Sequence, residues 1–172
     1  MNTRVATVML LASATVLGAC AKKAPEELPP PPPNQGETAT QLPDRAPVGP
    51  QVGSQAHFVE AVNGQNVIYF DTDRFNIDSA DAAALQTQAQ YLARYPQVRI
   101  TVEGHADERG TREYNLALGE RRANAAKNYL VGLGVDASRV ATVSYGKERP
   151  VALGSNEQAW AQNRRAVSVV IN

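Results

Sequence analysis

The sequence is poor in several residue types, and each shortage excludes a class of protein. Only two histidines occur, His57 and His105, which disfavours a catalytic zinc site because such sites take three protein ligands, often two of them His. The formal net charge is zero and no basic block occurs, so nucleic acid is not an expected partner. The apolar run from Val5 to Leu17 is shorter than the roughly 20 residues that span a membrane. Cys20 is the single cysteine.

The N-terminal segment has the layout of a bacterial export signal. Arg4 precedes the apolar run, and Leu17-Gly18-Ala19 supplies small residues before a cleavage site. Leu-Gly-Ala-Cys resembles the lipobox of bacterial lipoproteins, which implies removal of residues 1–19 and lipidation of Cys20. In proteobacterial lipoproteins Asp after the Cys commonly means inner-membrane retention, so Ala21 favours the outer membrane. A plain secretory signal that contains a Cys is the alternative.

Residues 20–64 are predicted to form a flexible, proline-rich linker. Nine of the eleven prolines lie between Pro25 and Pro50, including the run Pro29 to Pro33, and no apolar periodicity is present. Proline runs favour extended polyproline II and form neither helices nor central strands. Fully extended, the segment would reach about 130 Å, so the domain that follows could act far from Cys20.

Residues 65–172 have the patterns of one α+β domain. Asp78 or Ser79 can cap a helix that ends before Pro96, and Thr111 can cap a second helix that runs to about Val131. A short helix is expected over 156–162. Val167, Val169 and Ile171 should share one face of the last strand. Four segments have strand patterns: Asn66–Phe70, Val98–Glu103, Val140–Tyr145 and Arg165–Ile171. These elements predict a βαβαββ domain with two main helices on one face of a mixed four-stranded sheet.

Polar residues are concentrated where the second strand leads into the second long helix, in the stretch EGHADERGTREYN from Glu103 to Asn115. A loop that enters a helix N-terminus presents free amides and attracts anions. Asn115, Leu118 and Arg122 follow at helical spacing and should share one helix face, so that Asp107, Asn115 and Arg122 converge on one pocket. Asp73, just past the first strand, joins them if the two strands are neighbours.

This set of side chains suits a zwitterionic ligand, such as the free end of an amino acid. The Arg122 fork would bind a carboxylate, and Asp107 and Asp73 would accept from an ammonium. Asn115 can donate and accept. The alternative is a structural Asp–Arg pair that only fixes the loop, because ion-pair networks are common.

Other site types have weaker support in the sequence. His105 and Asp107 alternate but lack further metal ligands, so no metal and no cofactor are expected, and His105 should hydrogen-bond within its loop. No Gly-x-Ser-x-Gly elbow occurs, and Ser144 and Ser155 lack a His partner in sequence. The protein is therefore not expected to be an enzyme. Two alternatives stay open: an envelope enzyme that hydrolyses its substrate with His105 and Asp107, and a pure protein-interaction domain.

Four motifs, EGHADERGT, YN-LALGERRA, VSYGKERP and NRRA, together resemble the OmpA-like domain of the peptidoglycan-associated lipoproteins, from about Val67 to Ile171. The resemblance implies noncovalent binding of the diaminopimelate side chain of peptidoglycan. Residue by residue, it implies ligand contacts at Asp107 and Arg122, with further contacts at Asp73 and Asn115 and with Leu118 beside them. Thr72 departs from the family, in which many members carry a larger residue there, so the carry-over to Asp73 is less direct.

The same resemblance implies a location and partners. The protein would be held on the periplasmic face of the outer membrane by the lipid on Cys20 and would tether that membrane to the wall. TolB and TolA would be its protein partners in the Tol–Pal system, which helps the outer membrane constrict during cell division.

Overall fold

Helices and strands alternate through the part of the protein described by the computed structural model, residues 49–171. The predicted signal peptide, Cys20 and the linker up to residue 48 lie outside the described residues. No helix within 49–171 is long and apolar enough to cross a membrane. The elements are α1 (Gln55–Ala61), β1 (Val67–Tyr69), α2 (Ser79–Arg94), β2 (Arg99–His105), α3 (Arg112–Gly132), a 3-10 turn (Ala137–Arg139), β3 (Val140–Gly146), α4 (Glu157–Asn163) and β4 (Arg165–Ile171).

The four strands form one mixed sheet in the order β1-β4-β2-β3. β4 runs antiparallel to both β1 and β2, whereas β2 and β3 run parallel. The chain therefore crosses from β2 to β3 through α3, as parallel neighbours require. This arrangement confirms the predicted α+β fold. β1 and β2 are separated by β4, so the two strands are not neighbours.

Both long helices begin at the predicted caps. Asp78 accepts the backbone N–H of Asp81 at 2.8 Å, and the Thr111 hydroxyl accepts the N–H of Tyr114 at 3.2 Å. Each contact satisfies an amide of the first turn that has no partner inside the helix. α2 ends at Arg94, because the residue before Pro96 avoids helical backbone.

The apolar core lies between the helices and one face of the sheet. Leu85 and Leu92 of α2, Ile100 and Val102 of β2, and Leu130 of α3 are all fully buried. On β4 the core-facing row is Ala166, Ser168 and Val170, not the row of Val167, Val169 and Ile171. The predicted valine row does share a face, but it is the face that α2 and α3 do not cover.

The folded domain begins earlier than the predicted boundary at residue 64. Ser54 caps α1 by accepting the N–H of His57 at 3.2 Å. Phe58 and Val62, one turn apart, are fully buried in the core. Residues 51–64 contain no proline, but a helix of seven residues is too short to show a clear apolar periodicity in the sequence. Residues assigned to the linker, His57 among them, therefore belong to the domain.

A side chain of α1 also completes the hydrogen bonding of β4. β1 pairs only with residues 165–167 of β4, which leaves the later residues of β4 without a strand on that side. The Gln55 Oε1 accepts the backbone N–H of Val170 at 2.7 Å, and the Gln55 Nε2 lies 3.5 Å from the carbonyl oxygen of Ser168. One amide side chain thus supplies an acceptor and a donor as a neighbouring strand would.

Candidate functional site

A cavity of about 250 Å³ opens between the loop after β1, the loop after β2 and the start of α3. We call it the site cavity. Four of the five predicted site residues line it, and Arg122 does not. Its lining residues are Thr72, Asp73, Asp107, Arg109, Gly110, Tyr114, Asn115 and Leu118.

The position of α3 depends on a close glycine contact with β2. A Cβ built on Gly104 would overlap the carbonyl oxygen of Gly119, so only two glycines permit this approach. The contact brings the first turns of α3 against the end of β2. Asn115 and Leu118 therefore lie beside the loop that carries Asp107.

Asp107 is the central acid of the site cavity and is nearly buried, with 8% of its surface exposed. Arg109 donates to it from Nε at 3.0 Å, from Nη2 at 2.7 Å and from the backbone N–H at 3.1 Å. The Nη1 of Arg164 lies 3.6 Å from its Oδ2. Burial alone would raise the pKa of Asp107, but the hydrogen bonds and charge of Arg109, with the charge of Arg164, hold that pKa below its usual range.

Asn115 and Leu118 form the floor of the site cavity on α3, and both are buried. The Asn115 Nδ2 donates to the carbonyl oxygen of Arg109 at 2.7 Å, which fixes the loop that holds Asp107. Leu118 supplies an apolar surface suited to a methylene chain. The cavity therefore has an apolar surface at Leu118 on its floor and a charged wall at Asp107 and Arg109.

Asp73 occupies the outer edge of the site cavity in a strained backbone conformation. Its φ is +56°, in the left-handed region that Asp tolerates better than bulkier residues. The Tyr114 hydroxyl donates to its Oδ1 at 3.0 Å. Thr72 lines the cavity beside it, and its hydroxyl accepts from the Arg109 Nη2 at 3.3 Å.

Arg122 lies beneath the site cavity, not in it, and is fully buried. Its Nε donates to the carbonyl of Arg74 at 2.9 Å, its Nη1 to that of His105 at 2.8 Å and its Nη2 to that of Asp71 at 3.0 Å. Burial lowers its pKa to about 10, with a further contribution from Arg164, so it stays charged at neutral pH. Arg122 thereby joins the loop after β1 to the end of β2 and places Asp73 near Asp107.

Arg109 is a lining residue that sequence reasoning missed. Its guanidinium is partly exposed, with 38% of the side chain accessible, and stacks 4.2 Å above the Trp160 ring of α4. The signal was present in the sequence, since Arg109 follows Asp107 by two residues in a loop before a helix. Because neighbouring Asp and Arg residues are common in loops, spacing alone did not show that Arg109, and not Arg122, lines the cavity.

The loop that carries Asp107 is held from two further directions. The Lys147 Nζ donates to the carbonyl oxygens of Glu108 at 3.2 Å and Gly110 at 2.7 Å. The Trp160 Nε1 donates to the Glu108 Oε1 at 2.9 Å. These contacts fix the site before any ligand arrives, which limits the conformational entropy lost on binding.

His105 is separate from the site cavity. Gly104 faces α3, so the side chain of His105 points to the other side of the sheet. There it lies against Tyr145, with ring centroids 5.5 Å apart, and 3.7 Å from the Glu103 carboxylate. Neither ring nitrogen has a hydrogen-bond partner within residues 49–171, so the expected hydrogen bond in the loop was wrong.

This placement counts against an enzyme that uses His105 and Asp107 together. The imidazole is 2% exposed and does not line the cavity that contains Asp107. Burial lowers the pKa of His105 to about 4, with contributions from Arg165 and Arg149. Across residues 49–171, no three His, Cys, Asp or Glu side chains are grouped to hold a metal ion.

The fold and the site cavity together define a class of protein. A mixed β1-β4-β2-β3 sheet carries two long helices on one face, with an Asp–Arg cavity at the entry to the second. The sequence pattern of the OmpA family matches residues 69–164. The chain belongs to the OmpA family.

Individual relatives carry a more specific name. A peptidoglycan-associated lipoprotein of Agrobacterium fabrum is 58% identical over 118 residues, which cover 69% of this chain and 66% of that one, just under two thirds. One of Mesorhizobium japonicum is 45% identical over 163 residues, or 95% of this chain and 89% of that one. The crystal structure of the Burkholderia pseudomallei protein of the same name is 46% identical, covers 66% of this chain and 99% of that one, and superposes with a TM-score of 0.63. These names describe association with peptidoglycan and not a reaction.

Proposed function

We propose that the site cavity binds the diaminopimelate side chain of peptidoglycan and so attaches this protein to the cell wall. The observation that carries the proposal is the pairing of two carboxylates, Asp73 and Asp107, with the guanidinium of Arg109 around one cavity with an apolar floor. The diaminopimelate side chain ends in an ammonium and a carboxylate on a short aliphatic stem. Its charges and its stem match the cavity wall and floor.

Ligand entry would exchange one ion pair for two. In the described structure Arg109 occupies both oxygens of Asp107. The ligand ammonium would take over Asp107, together with Asp73, and the released Arg109 fork would bind the ligand carboxylate. Asn115 would bridge the two charges, and Leu118 would contact the methylenes. Each charge-assisted contact contributes about 1.5–3 kcal/mol.

Arg122 takes a different role in this proposal from the one its sequence position suggested. Its three nitrogens already donate to backbone carbonyls. It would act as a positioning residue that holds the loops of Asp73 and Asp107 together, while its charge favours the ligand carboxylate from beneath. Arg109, at the cavity surface, would bind that carboxylate directly.

The test is co-sedimentation of the full chain in detergent with purified diaminopimelate-type peptidoglycan. Asp107→Asn removes a charge-assisted contact that contributes about 1.5–3 kcal/mol. Because about 1.4 kcal/mol corresponds to a factor of ten in affinity, binding should weaken at least tenfold. Asp136→Asn is the matched control, since Asp136 caps the turn before β3, at the opposite end of the sheet. Equal binding by both variants would overturn the proposal, as would release of soluble wall fragments.

A second comparison tests the carboxylate clamp. Lysine-type peptidoglycan keeps the ammonium and lacks the extra carboxylate, so it should bind more weakly. Arg109→Gln should remove this preference. If the chain binds both wall types equally, Arg109 has no role in recognition.

The attachment proposal extends to the membrane and to protein partners. Lipid on Cys20 would hold the chain at the periplasmic face of the outer membrane, with the proline-rich segment as the tether to the wall. TolB and TolA would be its partners, in support of envelope integrity and of outer-membrane constriction in cell division. Mass spectrometry of the mature N-terminus tests the lipid, and pull-down by TolB, with and without peptidoglycan, tests the partner and the competition.

A further inference from the structure

A second cavity, of about 320 Å³, lies between the loop after β1, the start of α2 and α4. We call it the acidic cavity. It shares no lining residue with the site cavity. Its lining residues are Tyr69, Phe70, Asp71, Asn76, Asp78, Asp81, Ala161, Gln162 and Arg164.

The acidic cavity contains a buried carboxylate with an unused oxygen. Asp81 is 7% exposed, and its Oδ1 accepts the backbone N–H of Tyr69 at 3.0 Å. Its Oδ2 is fully buried and has no hydrogen-bond partner among residues 49–171. A buried anionic oxygen without a donor costs free energy, so a donor brought by a ligand would stabilise it.

The charge of the cavity is negative. Burial raises the pKa of Asp81, and the carboxylates of Asp78 and Asp71 raise it further. Arg164, which also lines the cavity, offsets them only in part: its Nη2 is paired with Glu157 at 2.8 Å, and its Nη1, which has no hydrogen-bond partner among residues 49–171, lies 3.6 Å from Asp107. A cation that enters the cavity would therefore meet three carboxylates against one guanidinium.

The walls of the cavity select among cations. Phe70, Tyr69 and Ala161 supply an aromatic and aliphatic surface that suits a methylene stem. A hydrated metal ion would gain nothing from such a surface, because hard cations require several oxygen ligands. Asn76 and Gln162 also line the cavity, and their side-chain amides can donate and accept hydrogen bonds.

We propose that the acidic cavity binds a primary alkylammonium group, with its nitrogen at Asp81 and its methylenes against Phe70 and Tyr69. The same chemistry is presented by the lysine side chain of a protein and by a free diamine. This proposal does not rest on the wall-binding function, because the two cavities share no lining residue, although Arg164 of the acidic cavity lies 3.6 Å from Asp107 of the site cavity.

The test is a ¹⁵N–¹H NMR titration of the full chain in detergent with Nα-acetyl-lysine-N-methylamide. The amide signals of Tyr69, Phe70 and Ala161 should shift saturably, and the matching norleucine derivative, which lacks the charge, should leave them unchanged. Asp81→Asn should weaken binding at least tenfold, because Asn retains the acceptor for Tyr69 but not the charge. Shifts that are equal with norleucine, or insensitive to Asp81→Asn, would overturn the proposal, as would displacement of the lysine derivative by calcium.

Two further arms separate the possible outcomes. Cadaverine that binds as tightly as the lysine derivative supports recognition of the ammonium alone, and tighter binding of the lysine derivative supports a protein chain as the source. Asp73→Asn should leave these shifts unchanged, because Asp73 lines the site cavity and not the acidic cavity. If Asp73→Asn abolishes them, the ammonium binds in the site cavity and the second site does not exist. Asp81→Asn should meanwhile retain wall binding, so failure of one proposal is distinguishable from failure of the other.

Discussion

Gly104 of β2 and Gly119 of α3 touch through their backbones, so that a methyl group on Gly104 would occupy the place of the Gly119 carbonyl oxygen. The obstacle is backbone, which cannot rotate away as a side chain would. The depth of α3 against the sheet, and with it the position of Asn115 and Leu118, depends on this contact.

Gly104→Ala should therefore destabilise the fold by about 3 kcal/mol, the upper part of the usual range for overpacking. Gly132→Ala is the matched control, because a Cβ there meets nothing within 4 Å and α3 has no positive φ at that residue. The control should be neutral or more stable by about 0.4–1 kcal/mol. Urea unfolding of both variants measures the difference, and equal midpoints would contradict the prediction.

Arg122→Lys should cost about 3 kcal/mol, although it keeps the charge. A lysine ammonium cannot reach three diverging carbonyl acceptors as the guanidinium does, and each buried carbonyl left unpaired costs about 1–3 kcal/mol. Wall binding should fall in parallel, because the loops after β1 and β2 would separate. Arg121→Lys, an exposed neighbour, should change neither quantity in unfolding and co-sedimentation assays.

Asp107 should make the protein less stable in acid. Its folded-state pKa lies below the ordinary value of 3.8, so its stabilising contribution is present above that value and is lost as pH falls through the folded pKa. Asp107→Asn should therefore lower stability at neutral pH and flatten the fall in stability below about pH 4. Unfolding midpoints measured at a series of acidic pH values test this, and an unchanged slope would contradict it.

Asp81 should have the opposite effect on acid stability. Its folded-state pKa lies above 3.8, so its charged form opposes folding at neutral pH. That penalty declines as pH falls through the folded pKa and is gone below 3.8. Asp81→Asn should be more stable than the parent at pH 7 and equal to it in acid. When the free energy of unfolding is measured against pH in parallel, the Asp81 and Asp107 variants should differ from the parent by changes in slope of opposite sign.

His105 should weaken the fold between pH 6.5 and pH 4. Its pKa is lowered from 6.5 to about 4, so in this window the unfolded chain binds a proton that the folded chain does not. The stability lost across the window is about 3 kcal/mol. His105→Phe keeps an aromatic ring beside Tyr145 and should remove this slope without loss of wall binding. Loss of wall binding in His105→Phe would indicate that His105 contributes to the binding site.

Local signals in the sequence predicted much of the fold correctly. The caps at Asp78 and Thr111 depend on side chains that satisfy amides a few residues away, so no tertiary information was needed. The mixed sheet followed from alternation of strands and helices. α1 was missed because a seven-residue helix derives its stability from burying Phe58 and Val62, which only the assembled core provides.

The site was predictable to the level of a helix face and no further. Spacing on α3 placed Asn115 and Leu118 correctly beside Asp107. The same spacing could not show that Arg122, one turn further on, would be covered by loops and use its fork on their carbonyls. Nor could it show that Arg109 would lie at the cavity surface, since that depends on its stacking on Trp160 from the distant α4.

The side chain of Gln55 has a consequence for self-association. By occupying the N–H of Val170, it blocks a sheet margin that would otherwise template another extended chain. A fragment that starts at Gly64 would contain every strand yet leave this margin open. Such a fragment should oligomerise as its concentration rises, whereas one that starts at Gly49 should stay monomeric. The short helix before β1 thus protects this margin of β4 from pairing with another copy of the chain.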